Sequence, residues 1–345
     1  EETLSLEEGY GIQLAPNSIS ILNKIGFSNI SNNNFFHPSK LNFYSANNDK
    51  ICDLNLARFN RDKVKYTTLK RSTLIEFLKN SLFASNIQFG KEVKKISKMK
   101  GKLLINFTDN TNNLVDFIII SDGVFSKTKA VIEDKNVKPR YNGSVAIRTI
   151  IKSSEETNYE NENISLIMLP NAHIVIYPIN KKNELNVVCI VRQKSLQNNN
   201  DANLIIKKEI LSQNKNLANL FKGHLESWPI YVTKKPSKSI YDNLFYLGDA
   251  FYTFLPTMAQ GAGQSIEGAK ELFDLLSQDT KEIQDLYFKK RLERIKLVDR
   301  RSKLNYFSFH LSNSLMVQIR NVMLKKITKS EKILNRYLGS IYQTI

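Results

Sequence analysis

The stretch Leu247–Ala269, "LGDAFYTFLPTMAQGAGQSIEGA", carries Gly248, Gly261, Gly263 and Gly268 in a chain that has only 13 glycines. A short apolar run, "NLFY", leads into it, and a helical pattern follows. A strand that ends in Gly-Asp sets a carboxylate at the carboxyl end of a sheet, where open α/β folds bind ligands. There Asp249 can accept hydrogen bonds from sugar-like hydroxyls. Pro256 fixes the turn. Gly261 and Gly263 let backbone N–H groups approach a flat ligand with no Cβ in the way. The helix starting near Gln264 aims its positive end at developing negative charge. Taken alone, the same residues fit a turn that merely caps a helix.

Working outward, 345 residues that are 41% hydrophobic can bury one large core or two modest ones. No apolar run reaches the roughly 20 residues that cross a bilayer, and the longest, Val115–Ile120, has the length of a buried strand. Cys52 and Cys189 stand far apart with no metal or redox spacing, as expected of reduced core thiols in a cytoplasmic protein. His37, His173, His224 and His310 show no metal or triad spacing, so no nucleophile–base pair is expected. The net charge of +17 raises nucleic acid as a partner. The lysines are scattered among Asn and Ile, however, with no recognition motif and no basic-aromatic alternation, which argues against it. Attraction to acidic lipid surfaces fits this charge better.

Along the chain, "APNSISILNKIGF" reads as a helix opened by Pro16 and Asn17, with Ile19, Leu22 and Ile25 on its inner face and Gly26 ending it. Leu41–Leu56 reads as strand-turn-strand. "RSTLIEFLKNSL" reads as a helix with Thr73 and Glu76 spaced as a capping box. "KEVKKISKM" and "KLLINFTD" read as paired strands. "LVDFIIISDG", apolar on both faces, predicts a central strand of a covered sheet. Between Ser144 and Arg192, four β-rich runs without helices predict an antiparallel sheet, hence a second layer or domain. A helical region (Asp201–Phe221), a return strand and C-terminal helices complete the pattern. Within these helices Leu304, Phe307, Leu311, Leu315, Ile319, Val322 and Ile327 fall near one stripe, beside Arg320, Lys325, Lys326 and Lys329. That stripe fits either a packed helix pair or a peripheral contact with anionic lipid.

Three further features stand out. "SDGVFSKTK" places Asp122 and Gly123 after the most apolar strand, as a second strand-end acid or as an Asx-turn. "EEGYGIQL" runs two glycines, Gly9 and Gly11, into an apolar strand. Arg71 stands directly before a helix. Jointly, and in register over nearly the whole chain, these motifs resemble the class A FAD-dependent aromatic monooxygenases, the p-hydroxybenzoate hydroxylase and salicylate hydroxylase group. "GYGIQLAPNSISILNKIGF", "TLKRSTLIEFL", "SDGVFSKTK", "HIVIYPINKKNELNVV" and "YLGDAFYTFLPTMAQGAGQSIEGA" are each similar to a segment of that family.

The resemblance implies an α/β fold: a Rossmann-like FAD domain in discontinuous segments, an antiparallel substrate sheet and C-terminal helices. The expected ranges are 1–140 for the first part of the FAD domain, 141–235 for the substrate sheet, and 236–345 for the Gly-Asp motif and helices. It implies that Asp249 binds the ribityl chain of FAD. The backbone of Gly261, Ala262, Gly263 and Gln264 would lie against the isoalloxazine, and Gly11 and Ile12 would touch its other side. Arg71 would reach the pyrophosphate, and Asp122 would serve FAD binding. Arg148, Tyr177 and Pro256 would line the substrate pocket. NADH or NADPH would reduce the flavin, O2 would form a C4a-hydroperoxide, and its distal oxygen would pass to a phenol-like ring. The alternatives are a ubiquinone-pathway ring hydroxylase at the surface of the inner membrane and a remnant that binds no FAD. Three departures from the family pattern stand out. Tyr252 replaces a histidine, Gly268 replaces an acid, and no GxGxxG turn with its ribose-binding acid precedes Gly9 unless Glu1 or Glu2 is that acid's remnant. The chain is therefore expected to be N-terminally truncated, and inactive as it stands.

Overall fold

The structure is a computed structural model describing residues 10–82, 87–133, 138–153, 159–195, 201–278 and 282–343. Glu1, Glu2 and Gly9 lie outside these residues. In chain order the strands are β1 (Gly11–Leu14), β2 (Phe35–Phe36), β3 (Lys40–Tyr44), β4 (Lys50–Asn55), β5 (Thr67–Lys70), β6 (Val93–Met99), β7 (Lys102–Phe107), β8 (Asn112–Val115) and β9 (Ile118–Ile120). They continue with β10 (Arg140–Lys152), β11 (Ile164–Leu169), β12 (Ala172–Pro178), β13 (Glu184–Arg192), β14 (Glu226–Val232) and β15 (Leu244–Tyr246). The principal helices are α1 (Pro16–Asn23), α2 (Arg71–Asn80), α3 (Lys127–Glu133), α4 (Ala202–Ile205), α5 (Gly261–Leu276), α6 (Ile283–Phe309) and α7 (Ser314–Lys329).

The chain forms two compact units. Among the described residues, one comprises those within Leu82–Tyr141 and Tyr231–Ser302; the other comprises those from Tyr10 to Ser81 and within Asn142–Ile230 and Lys303–Ile345. The units thus cut across the three ranges drawn from the sequence, because segments distant along the chain share a core.

The larger unit is built on a seven-stranded sheet in the order β14-β10-β13-β12-β11-β3-β4. The four predicted runs are β10 to β13, and their pairings are antiparallel. The sheet also takes in β3, parallel to β11, and through it β4. Strand β11, "ISLIML", is buried at every position, so both its faces are covered. Ile167, Leu169, Ile174, Val187 and Cys189 share a core with Ile205, Ile206, Ile210, Leu217 and Leu220 of the helical segment after Asp201. Burial pushes the Cys189 thiol far up, as suits an inert core residue. In α1, Pro16 opens the helix and Gly26 sits at φ +95°, a left-handed stop. Ile19 and Leu22 face inward as expected, but Ile25 lies past the last turn and is 53% exposed.

In the smaller unit, β6, β7 and β8 form an antiparallel sheet, and β9 pairs in parallel with β15. The single covered strand read from "LVDFIIISDG" is therefore corrected: a break at Asp116–Phe117 divides it between two sheets, and Phe117 and Ile119 are exposed among the described residues. The capping box is also corrected. Helix α2 starts one turn earlier than that motif needs, at Arg71, with Lys70 as its extended cap, so Thr73 and Glu76 lie inside the helix. The C-terminal stripe does not lie on one helix, because α6 ends at Phe309 and α7 begins at Ser314 under an Asn313 cap.

Candidate functional site

In the smaller unit the parallel register sets Tyr246 opposite Ile120, and Leu247 N–H donates to the Ile120 carbonyl at 2.8 Å. Both strands therefore end at one edge of this sheet. Asp122 and Asp249 follow those two ends, so the topology brings the two sequence-predicted acids to the same edge. Gly248 turns the chain at φ +61°, and a Cβ there would meet Ser265 Oγ of α5 at 2.9 Å. Asp249 is exposed on the single helical turn that follows, above buried Ala250, Phe251 and Tyr252. The Asp122 carboxylate accepts from Thr128 N–H at 3.2 Å, so it already helps to start α3. Lys129 is buried 5.8 Å from the Tyr246 ring centre, and burial lowers its pKa.

Pro256 begins a further single turn, Ala259 adopts a left-handed φ of +50°, and Gln260 opens α5 with no side-chain cap. Gln264 N–H reaches the Gln260 carbonyl at 2.8 Å, as a regular helix requires. The amides of Gly261, Ala262 and Gly263 precede that first bond, at the positive end of a 16-residue helix. A Cβ built on Gly261 would meet nothing within 4 Å. The glycine there leaves open space, and Gly261 is exposed where Gly263 and Gln264 are buried. This turn can hold a flat, electron-rich or anionic group.

Both departures in this region have physical explanations. Tyr252 is buried, and burial with the Asp299 carboxylate pushes its pKa far up, so it remains a neutral phenol. At Gly268 a Cβ would come within 3.1 Å of Leu247 Cδ1 and 3.2 Å of the Tyr287 hydroxyl, so neighbouring side chains occupy the space an acid would need. Sequence reading missed Arg291, whose guanidinium donates to the Gln264 carbonyl at 3.1 Å and to Gln264 Oε1 at 2.8 Å. An arginine inside a basic helix carries no local signal of such a role.

In the larger unit, Gly11 and Ile12 lie on β1 opposite Lys70 and Leu69. The Gly11 N–H donates to Asn186 Oδ1 at 2.6 Å, and a Cβ there would lie 2.7 Å from atoms of Asn186, Ile179 and Tyr177. Close packing against β12 and β13 is thus a sufficient reason for this glycine. Arg71, exposed, opens α2, and its N–H donates to the Tyr10 carbonyl at 3.0 Å. Arg148 points from β10 to Trp228, with its guanidinium carbon 5.6 Å from the ring centre. Its Nε is buried without a hydrogen-bond partner, and no ion pair to it is found among the described residues. Burial lowers its pKa, and the Tyr177 and Tyr10 hydroxyls act against that shift. Tyr177 is itself buried, with its pKa raised by burial. Tyr10 meets Trp228 edge to face at 5.3 Å, and burial with Glu226 pushes its hydroxyl to about 12. The structure thus groups Arg148 and Tyr177 with Tyr10 and Trp228. The chain's one tryptophan, in "ESWPIYV", was the available signal.

No family model matches the chain. It is 23% identical over 312 residues to the 3-amino-4-hydroxybenzoate 2-monooxygenase of Streptomyces cremeus, covering 88% of this chain and 78% of that protein. It is 25% identical over 238 residues to a salicylate hydroxylase of Pseudomonas putida, covering 62% and 55%. In fold it matches the crystal structure of Klebsiella pneumoniae HpxO with FAD and uric acid. The TM-score is 0.83 at 17% identity, over 97% of this chain and 88% of that one. Sequence and fold together make this chain a relative of the FAD-dependent aromatic monooxygenases.

Proposed function

We propose that the protein is an FAD-dependent monooxygenase that hydroxylates a phenol-like ring, with NADH or NADPH and O2 as co-substrates. The observation that carries this reading is the open, uncapped turn at Gly261–Gly263, which follows the carboxyl end of β15 through the Gly248–Ala250 and Pro256–Met258 turns. Asp249 would hold the ribityl hydroxyls of FAD, and the Gly261–Gln264 backbone would hold the ring system and favour negative charge on it. As further cofactor-binding candidates, Arg71 would bind pyrophosphate oxygens, and Ile12 with Gly11 would present backbone edges. Asp122 would support the cofactor while capping α3. Bound FAD would supply the oxygen-activating chemistry.

The protein's own residues have the remaining tasks. Arg148 is half-buried with an unpartnered, buried Nε and no carboxylate partner among the described residues, a costly arrangement that a ligand anion would relieve. Arg148 would therefore bind an acidic substituent on the ring, with Tyr177, Tyr10 and Trp228 supplying apolar and edge contacts. Pro256 would shape the turn beside the ring. The cluster would orient the substrate. The test is direct: purified full-length protein should show a flavin absorbance spectrum, and hydroxylated aromatic acids should stimulate its NADH or NADPH oxidation. A colourless full-length protein that takes up no FAD would refute the reading.

A second reading concerns location. On α7 the exposed side chains include Leu315, Met316, Ile319, Val322 and Met323, while Arg320 is buried. Lys325, Lys326 and Lys329 are exposed beside them and border an open hollow with Val322 and Ser330. That inverted amphipathic face suits peripheral contact with anionic lipid. Co-sedimentation with anionic but not neutral vesicles, lost at 1 M salt, is the expected outcome; absence from both pellets at low salt removes this reading.

A further inference from the structure

Helix α5 is anchored behind its open turn by a cluster of charges in the smaller unit. Arg291 and Glu267 are each only 4% exposed. Arg294 grips the Glu267 carboxylate with two bonds, 2.8 Å from Nε and 2.7 Å from Nη2. Arg291 lies 3.7 Å from Glu267 and 3.4 Å from Glu271. Its other guanidinium nitrogen donates twice to Gln264. Gln264 in turn donates from Nε2 to Gln260 Oε1 at 3.1 Å, next to left-handed Ala259. The chain of contacts therefore runs from a buried ion cluster, through one arginine, into the residues that set the direction of the Gly261–Gly263 amides.

A buried ion pair seldom adds stability beyond what an apolar replacement would give, so energy alone is a weak reason for this cluster. A rigid, planar fork that holds a main-chain carbonyl and a side-chain amide at once is a strong reason for geometry. We infer that Arg291 is a positioning residue: it fixes the Gln260–Gln264 turn so that its free amides face whatever the turn holds. This rests on the flavin reading of that turn. Reduced flavin carries more negative charge than oxidised flavin, so amides held in place favour the reduced form. The space that an acid at position 268 would fill is taken by Tyr287 and Arg291. Gly268 thereby leaves room for the arginine.

The test uses FAD-loaded protein and compares Arg291→Gln with Arg294→Gln. Each variant weakens the hold on Glu267, but only the first removes the bonds to Gln264. Arg291→Gln is expected to lower the flavin reduction potential and to weaken FAD binding about tenfold or more. Arg294→Gln is expected to lower the melting temperature while leaving the potential where it was. If Arg291→Gln does not fold, Arg291→Lys, which keeps the charge but not the fork, should still shift the potential in the same direction. An unchanged potential in the Arg291 variants, or an equal shift in both positions, overturns the assignment of Arg291 alone. Full-length wild-type protein that binds no FAD overturns the flavin reading beneath it.

Discussion

Individual side chains carry the first two predictions. Asp249 stands exposed at the end of β15, where a carboxylate can accept from two adjacent hydroxyls. Hydrogen bonds to a charged group are worth about 1.5–3 kcal/mol. Asp249→Ala should therefore weaken FAD binding by about tenfold to a hundredfold, as measured by fluorescence titration; unchanged affinity would return Asp249 to a turn-forming role. Arg148 differs in being a half-buried cation whose buried Nε lacks a partner. Arg148→Gln should raise KM for an aromatic acid by a similar factor. It should have little effect on the uncharged amide of the same ring. Equal losses on both substrates would mean that Arg148 acts by packing on Trp228. Asp249 was legible in the sequence because Gly-Asp after a strand is a local pattern. Arg148 was named only through the family resemblance, since nothing in "SVAIRTII" shows that its side chain goes unpaired.

Elements were legible where their signals were local. Pro16 and Gly26 bracket α1 by their own backbone preferences, and the Ser144–Arg192 runs became strands because β-branched residues dominate them. Two boundaries moved because tertiary pairing overrode a local motif. The β5–β1 ladder runs to Lys70, so α2 starts at Arg71 and leaves Thr73 with nothing to cap. Asp116 interrupts an apolar run, and its two halves then joined different sheets. Strand β1 supplies the next prediction. A Cβ at Gly11 would lie 2.7 Å from three neighbouring side chains. Gly11→Ala should destabilise the larger unit by about 1–3 kcal/mol, as overpacking does. A lower urea midpoint would show it; an unchanged midpoint would mean the turn into β1 can shift.

For the molecule as a whole, a buried histidine pair makes stability depend on pH. His173 Nδ1 and His310 Nε2 lie 2.7 Å apart in the core, beside Phe309 and Tyr306. Burial pushes both pKa values well below the usual histidine range, and at His310 the charges of His173 and Arg192 add to it. The unfolded chain gains protons below about pH 6.5 while these folded side chains stay neutral. Stability therefore falls as pH drops from about 6.5, by up to about 1.4 kcal/mol per pH unit for each histidine. The urea midpoint should decline between pH 7 and pH 5. Replacing both His173 and His310 with Phe should flatten that decline; an unaltered slope would place its origin elsewhere.

The sequence by itself determined the fold class and the likeness to flavin monooxygenases, and it named the strand-end acids and turn glycines of the candidate site. Those depend on features a short window contains: strand-end acids, glycines in a turn, a proline at a helix start. Only the tertiary structure decided which strands join β11, why Gly11 and Gly268 lack side chains, that α7 turns its apolar face outward, and which distant arginine holds Gln264. Each of these depends on what packs against a residue from elsewhere in the chain, and periodicity within a segment carries no record of its neighbours in space.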